Sequence, residues 1–331
     1  MSTPPTAPVP VNVSPSDGAI PAVAVTQGDV ATANAATDII DLPTGKELSE
    51  VGAASLAMSR PVRLVVVAGP VGCGKTTLLT SLYDQFQSGP VSDHVFAGSN
   101  TLPAFERRCF LSRIASEREV PDTERTPYGE ARYLHLRVCH NAVPRSGIDL
   151  LFTDVSGESF ERARDSVSEC QRLNFLKRTD HFLLLLDCEK FVRSEKWAGV
   201  AHESMTLLQS CLDGGMLGNG SLVNIVWAKF DYIAAAENKA HHDALRADVK
   251  KEFEERFGTK VRQLRFSEIA ARPTQRAAKL QFGHGLPELL RHWMQTCPRE
   301  KQINFIPNGI TGARESEMFA LRHFQAPDNS Q

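Results

Sequence analysis

The sequence predicts an α/β domain of three layers, in which a mostly parallel sheet with one antiparallel edge strand carries helices on both faces. A short apolar run at residues 63–68 leads into a glycine-rich loop and then into an amphipathic helix at residues 76–87. Two strands, at residues 133–138 and 148–154, are joined by a short turn and must therefore be antiparallel neighbours. Strands and helices then alternate, which is typical of a sheet covered on both sides.

Each later element has its own pattern. Apolar runs of the length of a buried strand predict strands at residues 182–187 and 222–227, and a weaker run predicts one at residues 261–266. The strand at residues 133–138 alternates apolar and polar side chains, so we expect it to be half exposed. Apolar residues at helical spacing predict helices over residues 163–176, 203–212, 241–257 and 286–297.

Composition divides the 331 residues into a leader, one domain and a tail. The first 44 residues are rich in Pro, Ala, Val, Thr and Ser and contain no Lys, Arg or aromatic residue. Such a segment cannot bury enough apolar surface to offset its ordering entropy, so we expect a disordered leader over residues 1–57. The folded domain is expected at residues 58–299, followed by a C-terminal tail at residues 300–331.

Charge and composition exclude several classes of function. A net charge of -2 gives no reason to expect nucleic acid or an anionic membrane as the partner. The longest apolar run, residues 182–186, is too short to span a membrane. The seven cysteines are scattered without a CxxC pair, which argues against a disulfide or zinc framework and favours a cytoplasmic location.

The glycine-rich loop has the pattern of a phosphate-binding loop. Residues 69–76 read Gly-Pro-Val-Gly-Cys-Gly-Lys-Thr and match G-x-x-x-x-G-K-[ST] between a strand and a helix, which predicts the P-loop NTPase fold. The glycines let backbone N–H groups point at phosphates, Lys75 reaches the β- and γ-phosphates, and the Thr76 hydroxyl binds Mg²⁺. The predicted nucleotide-binding residues here are Gly69, Pro70, Val71, Gly72, Cys73, Gly74, Lys75, Thr76 and Thr77.

Two later segments predict that the base is guanine. Lys229 and Asp231 follow a buried strand in the order K-x-D, where an aspartate can accept hydrogen bonds from the guanine N1–H and the 2-amino group. GTPases usually carry Asn or Thr before this lysine, and Ala228 departs from that pattern. Ser267 follows the next strand, where a short serine turn often contacts the guanine carbonyl, and we predict it as a further base-binding residue.

A D-x-x-G element and an upstream threonine complete the predicted site. Asp154 ends a strand and is expected to hold Mg²⁺ through water, while the N–H of Gly157 senses the γ-phosphate. Thr101, with Ser99 as second choice, is the predicted metal-binding threonine of the long segment at residues 88–132. The predicted catalytic residues are therefore Lys75, Thr101, Gly157 and Glu158.

Taken together, these motifs resemble the translation-factor and Ras-like (TRAFAC) class of P-loop GTPases. Residues 69–77, 96–102 and 149–160 more narrowly resemble the bacterial double-GTPase family. The resemblance implies GTP and GDP as ligands, Mg²⁺ as cofactor, and a molecular switch. It also implies protein partners, namely an activator, an effector or a second GTPase, within a multi-component bacterial conflict or signalling system. Glu158 stands where Ras-like enzymes carry glutamine, which implies slow intrinsic hydrolysis.

Two other functions stay open at this point. Asp187 ends a hydrophobic strand, as the metal-binding aspartate of many ATPases does, and would suit a P-loop ATPase or STAND-type regulator. Ala228 and Glu158 would also suit a pseudo-GTPase adaptor that does not turn nucleotide over.

Overall fold

The computed structural model of the chain describes residues 45–112, 131–193, 197–218, 220–275 and 278–295. They form one seven-stranded sheet with helices on both faces, in agreement with the predicted fold class. The strands, in spatial order, are β2 (His94–Gly98), β3 (Arg132–His140), β4 (Val143–Asp154), β1 (Val62–Ala68), β5 (His181–Asp187), β6 (Leu222–Ala228) and β7 (Gln263–Ile269).

The direction of the strands follows the connections between them. The β1 strand pairs in parallel with β4 and β5, and the β5–β6 and β6–β7 pairs are also parallel. The short turn between β3 and β4 makes that pair antiparallel, as predicted, with Leu136 opposite Leu150. Because the carboxyl ends of parallel strands meet at one edge of the sheet, the loops after β1, β4, β5 and β6 lie along a common edge.

The two faces of the sheet are covered by different helices. Alternate side chains of β1 point to opposite faces, so that Leu64 and Val66 pack into one core and Val65 and Val67 into the other. One face carries α2 (Lys75–Ser88), α3 (Leu102–Ser112) and α10 (Leu286–Met294). The other face carries α1 (Glu50–Ser59), α4 (Gly157–Asp165), α5 (Val167–Gln171), a 3-10 helix (Asn174–Arg178), α6 (Cys188–Arg193), α7 (Trp197–Asp213), α8 (Asp231–Ala234) and α9 (Lys239–Phe257).

The predicted boundary of the leader is wrong. The α1 helix lies within residues 1–57, is capped by the Ser49 side chain, and buries Ala53 and Leu56 in the core. Residues 45–57 therefore belong to the folded domain, and most of the leader, residues 1–44, lies outside the described residues. The predicted tail at residues 300–331 lies outside them as well.

The covering of β3 also differs from the prediction. The antiparallel strand is not at the edge of the sheet, because β2 pairs with its outer side. It is not half exposed either, since α1 lies over its polar-patterned face and leaves Tyr133 and His135 buried. A residue that would be solvated on an edge strand, such as His135, therefore needs a partner, which Asp149 supplies at 2.8 Å from Nε2 to Oδ1.

Two further predictions concern cysteines and membranes. All six cysteines of the described chain are free thiols, including Cys170 and Cys211, whose sulfur atoms lie 3.5 Å apart. No helix in the described part of the chain combines the length and the apolar surface that crossing a bilayer requires.

Candidate nucleotide-binding site

The predicted phosphate-binding loop connects β1 to α2 at the carboxyl edge of the sheet. Gly74, with φ of 99°, is the N-cap of α2, and so the loop can enter the helix in a left-handed conformation that side chains disfavour. At Gly69 a Cβ would lie 2.7 Å from the Cys73 sulfur and 3.1 Å from the Leu185 carbonyl oxygen. Glycine at this position thus lets the loop pack against β5 and turn its later residues towards the start of the helix.

The Lys75 side chain lies back over this loop. Its Nζ donates to the Gly69 carbonyl at 2.9 Å and to the Pro70 carbonyl at 3.0 Å. These two contacts place the ammonium group on the loop at the amino end of α2, where the helix dipole also favours an anion. The position suits a cation that binds phosphate.

The D-x-x-G element packs directly on the phosphate-binding loop. A Cβ at Gly157 would lie 2.5 Å from the Val71 nitrogen and 2.8 Å from the Pro70 carbonyl carbon. One turn further along α4, the Glu161 carboxylate accepts a hydrogen bond from the Val71 N–H at 3.1 Å. The amino end of α4 is thereby joined to the loop by contact and by hydrogen bond. Sequence reasoning missed Glu161, because no motif marks it.

Glu158 lies in the first turn of α4, directly after the glycine that touches the loop. It is exposed, and no hydrogen bond to its side chain is found within the described residues. Its carboxylate is therefore available to solvent beside the loop, as a residue that orients a water molecule must be.

Asp154 ends β4 and is almost fully buried, with 5% of its surface exposed. Its Oδ2 accepts a hydrogen bond from Nη2 of Arg108, a residue of α3 that is itself 3% exposed. The other nitrogen of the guanidinium, Nη1, pairs with Glu47. The predicted metal-binding aspartate is thus held by an arginine that sequence reasoning did not identify.

The residues around the loop fit Mg²⁺ in their chemistry. This ion prefers hard oxygen donors and binds through few protein groups together with phosphates and water. The Thr76 hydroxyl, at the start of α2, and the Asp154 carboxylate supply such oxygens at neighbouring positions on the carboxyl edge. The ion, when bound, would neutralise charge on the phosphate oxygens.

The Thr101 side chain contacts the edge of the sheet. It is fully buried, its Oγ1 accepts from the His135 N–H at 2.9 Å, and it lies close to the His135 carbonyl oxygen. Ser99 likewise donates to the His135 carbonyl at 2.6 Å. Both hydroxyls therefore extend the pairing of the sheet edge beyond β2, and the assignment of Thr101 to the metal stays a prediction. The rest of the predicted switch segment, residues 113–130, lies outside the described residues.

The Asp231 carboxylate is held by a loop that the sequence did not identify. It is 2% exposed, and its Oδ2 accepts from the Thr274 N–H at 2.9 Å and from the Gln275 N–H at 3.0 Å. Its Oδ1 accepts no hydrogen bond from the described residues. Two backbone donors thus fix one oxygen of the carboxylate and leave the other for a ligand.

Lys229 adopts φ of 55°, a left-handed conformation that is uncommon for a residue other than glycine. Its Nζ pairs with Asp187 at 2.9 Å and Glu189 at 2.8 Å. Burial alone would lower the pKa of Lys229, but the two carboxylates outweigh it and raise that pKa. Lys229 is close enough to the phosphate-binding loop for its charge to act on the buried Cys73 thiol, whose pKa burial raises.

The same contacts bear on the role of Asp187. Its Oδ2 pairs with Lys229, and its Oδ1 caps α6 by accepting the Glu189 N–H at 3.0 Å. Both oxygens are thus used, one to hold Lys229 and the other to cap the start of α6. This arrangement does not suit a metal ligand of the ATPase type.

Ser267 does not lie in a turn, contrary to the prediction. It lies within β7, opposite Val226, and its hydroxyl accepts a hydrogen bond from the Asn224 side chain at 2.9 Å. Because Ala228 pairs with Ile269, the chain leaves the sheet only after Ile269. The loop that reaches Asp231 therefore starts at Ala270, and it contacts Asp231 through Thr274 and Gln275.

Comparisons with known structures find GTPase-like domains at low similarity. The GTPase-like domain of Saccharomyces cerevisiae Ski7, bound to GDP and inorganic phosphate, is 14% identical with a TM-score of 0.38, and its GTP-bound form is 13% identical with 0.36. The cytosolic domain of Thermotoga maritima FeoB in its GMPPNP form is 14% identical with 0.31. These alignments cover 71–74% of this chain, 52% of the Ski7 chains and 65% of the FeoB chain.

No curated protein matches the sequence significantly. The sequence model of the Double-GTPase 2 family matches residues 63–294. This span begins in β1, ends in α10 and contains the phosphate-binding loop, the D-x-x-G element and the K-x-D element. The chain belongs to the Double-GTPase 2 family of P-loop GTP-binding proteins.

Proposed function

We propose that this protein binds GTP and GDP with Mg²⁺, hydrolyses GTP slowly, and acts as a molecular switch. The observation that carries the proposal is the buried Asp231 carboxylate, which the backbone of Thr274 and Gln275 fixes through one oxygen. Guanine offers two neighbouring N–H donors to such an acceptor, whereas adenine offers no such pair. A fixed acceptor at the carboxyl edge of the sheet, beside a phosphate-binding loop, favours guanine over adenine.

The contact between α4 and the phosphate-binding loop supports the switch. Gly157 and Glu161 touch Val71 from α4, and so a group that moves the loop also moves that helix. A γ-phosphate bound on the loop would meet the Gly157 N–H first, which couples the state of the nucleotide to the position of α4. Slow hydrolysis follows from Glu158, whose carboxylate cannot donate a hydrogen bond to the transition state and places negative charge near the phosphate.

The test is equilibrium binding of fluorescent GDP, a GTP analogue and ATP to the full chain with Mg²⁺. We expect guanine preference, its loss in Lys75→Ala, and a shift towards xanthine nucleotides in Asp231→Asn, because the amide can donate to a xanthine carbonyl. Preference for ATP, or unchanged GDP binding by Asp231→Asn, would refute the base assignment.

Single-turnover hydrolysis separates the switch from a pseudo-GTPase adaptor. Slow phosphate release from bound GTP supports the enzyme, and Glu158→Gln is expected to change its rate without changing GDP affinity. Binding without any release, in the presence of protein partners as well, would identify an adaptor. A role in a bacterial conflict or signalling system, beside a second GTPase, stays a proposal from the resemblance alone.

A further inference from the structure

Arg108 is the least expected charge in the nucleotide site. It is 3% exposed on the inner side of α3, and its guanidinium bridges the carboxylates of Glu47 and Asp154. Arg107, the next residue on the helix, is exposed and pairs with Glu47 at 3.0 Å from Nη2 to Oε1. Arg108 thus pairs with both carboxylates inside the protein, whereas the pairing of Arg107 with Glu47 lies at the surface.

The pairing places a positive charge on the carboxylate that is to hold the metal. An arginine and a divalent cation, whether the cation is bound directly or through water, draw on the same carboxylate charge, and they repel each other at short range. A metal ion held by Asp154 is therefore opposed by the guanidinium unless Arg108 moves away.

Arg108 has a second partner to which it can move. Glu47 accepts from its Nη1, and burial of Glu47 is outweighed by the arginine charges and hydrogen bonds, which lower the pKa of that carboxyl and keep it ionised. The guanidinium is also incompletely satisfied in its present place, because its buried Nε has no hydrogen-bond partner among the described residues. Leaving Asp154 therefore does not leave Arg108 without a counter-charge.

Glu47 lies in the segment before β1, and backbone hydrogen bonds hold this segment in place. Gly45 accepts a hydrogen bond from the Ala104 N–H of α3 at 3.1 Å, and Leu48 forms a two-way backbone bridge with Tyr133 at 2.9 and 3.0 Å. The segment 45–48 is thus tied to α3 and β3 on both sides of Glu47. The position of this segment fixes the Glu47 carboxylate, and so the place to which the Arg108 guanidinium can move.

We propose that Arg108 sets the Mg²⁺ affinity of the nucleotide site by competing for Asp154, and that Glu47 favours metal binding by receiving Arg108 when it leaves. The proposal rests on the proposed function, since it concerns the metal that accompanies the nucleotide. It assigns opposite effects to two residues that contact each other, and this opposition makes it testable.

The test measures the affinity of the full chain for fluorescent GDP in excess Mg²⁺ and in EDTA, and compares the ratio of the two between variants. Arg108→Met keeps the length of the side chain and removes the competitor, and so the ratio is expected to rise roughly tenfold, the effect of one charge-assisted hydrogen bond. Glu47→Gln should lower the ratio by roughly threefold, because Arg108 loses its alternative partner. Arg107→Met is the matched control, and its ratio should stay within about twofold of the unmodified chain.

The outcomes separate this proposal from the proposed function. If Arg108→Met binds GDP in EDTA as before but its ratio is unchanged or lower, Arg108 does not compete with the metal. If Arg108→Met does not fold, the Glu47→Gln ratio decides, and a rise there overturns the proposal.

If the unmodified chain binds no guanine nucleotide, the proposed function fails. Binding of Mn²⁺ to the nucleotide-free chain, followed by electron paramagnetic resonance, then decides the role of Arg108. Tighter Mn²⁺ binding by Arg108→Met than by Arg107→Met supports the competition, and equal binding refutes it.

Discussion

Substitution of Gly157 by alanine tests the contact between α4 and the phosphate-binding loop. The added Cβ would lie 2.5 Å from the Val71 nitrogen and 2.7 Å from its Cα, well inside the 3.4 Å at which ordinary contact begins. Because these atoms belong to the backbone, no side chain can rotate away. The amino end of α4 must instead move back by nearly an ångström, which lengthens the 3.1 Å hydrogen bond between the Val71 N–H and Glu161.

The expected magnitude is that of an overpacked core position. Such substitutions destabilise proteins by about 1–3 kcal/mol, and we expect Gly157→Ala to lower the free energy of unfolding by about 2 kcal/mol. Gly199→Ala is the control, because Gly199 is also in a helix, is exposed, and has no atom within 4 Å of its added Cβ. Removing a glycine from a helix without a clash should stabilise by about 0.5 kcal/mol.

Urea unfolding of the two variants beside the unmodified chain measures both effects. The variants carry the same chemical change and are expected to move the midpoint in opposite directions, provided that the slope with urea stays constant. Equal midpoints for Gly157→Ala and Gly199→Ala would refute the packing argument, and would mean that α4 does not rest on the loop as described.

Three further predictions follow from buried residues. Burial lowers the pKa of His181 from 6.5 to about 4, so the unfolded chain takes up a proton on this residue at a higher pH than the folded chain does. The free energy of unfolding is therefore not reduced by His181 above pH 6.5. It falls by about 1.4 kcal/mol per pH unit below that pH. Urea unfolding between pH 7 and pH 5 should show a weaker loss in His181→Leu, and equal losses would contradict this. Thr101→Val should destabilise by about 1–3 kcal/mol, because it leaves the His135 N–H unpaired, while the Mg²⁺ dependence of GDP binding stays unchanged. A large change in the Mg²⁺ dependence of GDP binding would instead support Thr101 as a metal ligand. Leu56→Ala should lower the free energy of unfolding by about 2–5 kcal/mol in the same assay, because Leu56 is buried. Met58, in the same helix, is 90% exposed, and Met58→Ala should change the free energy of unfolding by almost nothing. Equally small effects of the two substitutions would mean that α1 does not belong to the core.

The core of the fold could be predicted because its signals are local. The apolar run of β1, the glycine loop and the amphipathic α2 follow each other without interruption, and the observed bounds Val62–Ala68 and Lys75–Ser88 agree with the expected ones within a residue or two. The hairpin of β3 and β4 was predictable for the same reason, because its turn is short. Each of these elements carries its own evidence in its own residues.

The α1 helix could not be predicted by the same means. Its sequence is apolar nearly all round, with exposed Val51 and Met58 opposite buried Ala53 and Leu56, so no periodic stripe distinguishes its buried face. What identifies the helix is its contact with β3, which is a property of the tertiary structure. The burial of Tyr133 and His135 is a consequence of that contact.

Ion pairs between residues that lie far apart in the sequence could not be predicted either. Arg108 was visible in the sequence only as one of several arginines, and its pairing with Asp154, 46 residues away, depends on how α3 lies against the end of β4. The D-x-x-G motif marks Asp154 as a residue of the predicted site. It could not show that a second charge competes for the carboxylate, since a motif describes the residues of a site and not the residues that oppose it.

The loop after β7, at residues 270–275, shows how the register of a strand decides which residues meet. The sequence places Ser267 directly after the strand predicted at residues 261–266, but the pairing of Ala228 with Ile269 continues β7 two residues beyond it. A serine inside the strand points across the sheet to Asn224, whereas the first residues past the register end can turn towards Asp231. Thr274 and Gln275 hold the carboxylate mainly through backbone N–H groups, and the Thr274 hydroxyl adds a longer contact at 3.3 Å, so several side chains would serve at these positions. A loop that acts through its backbone leaves no sequence pattern, and only the register of the strand before it reveals where it lies.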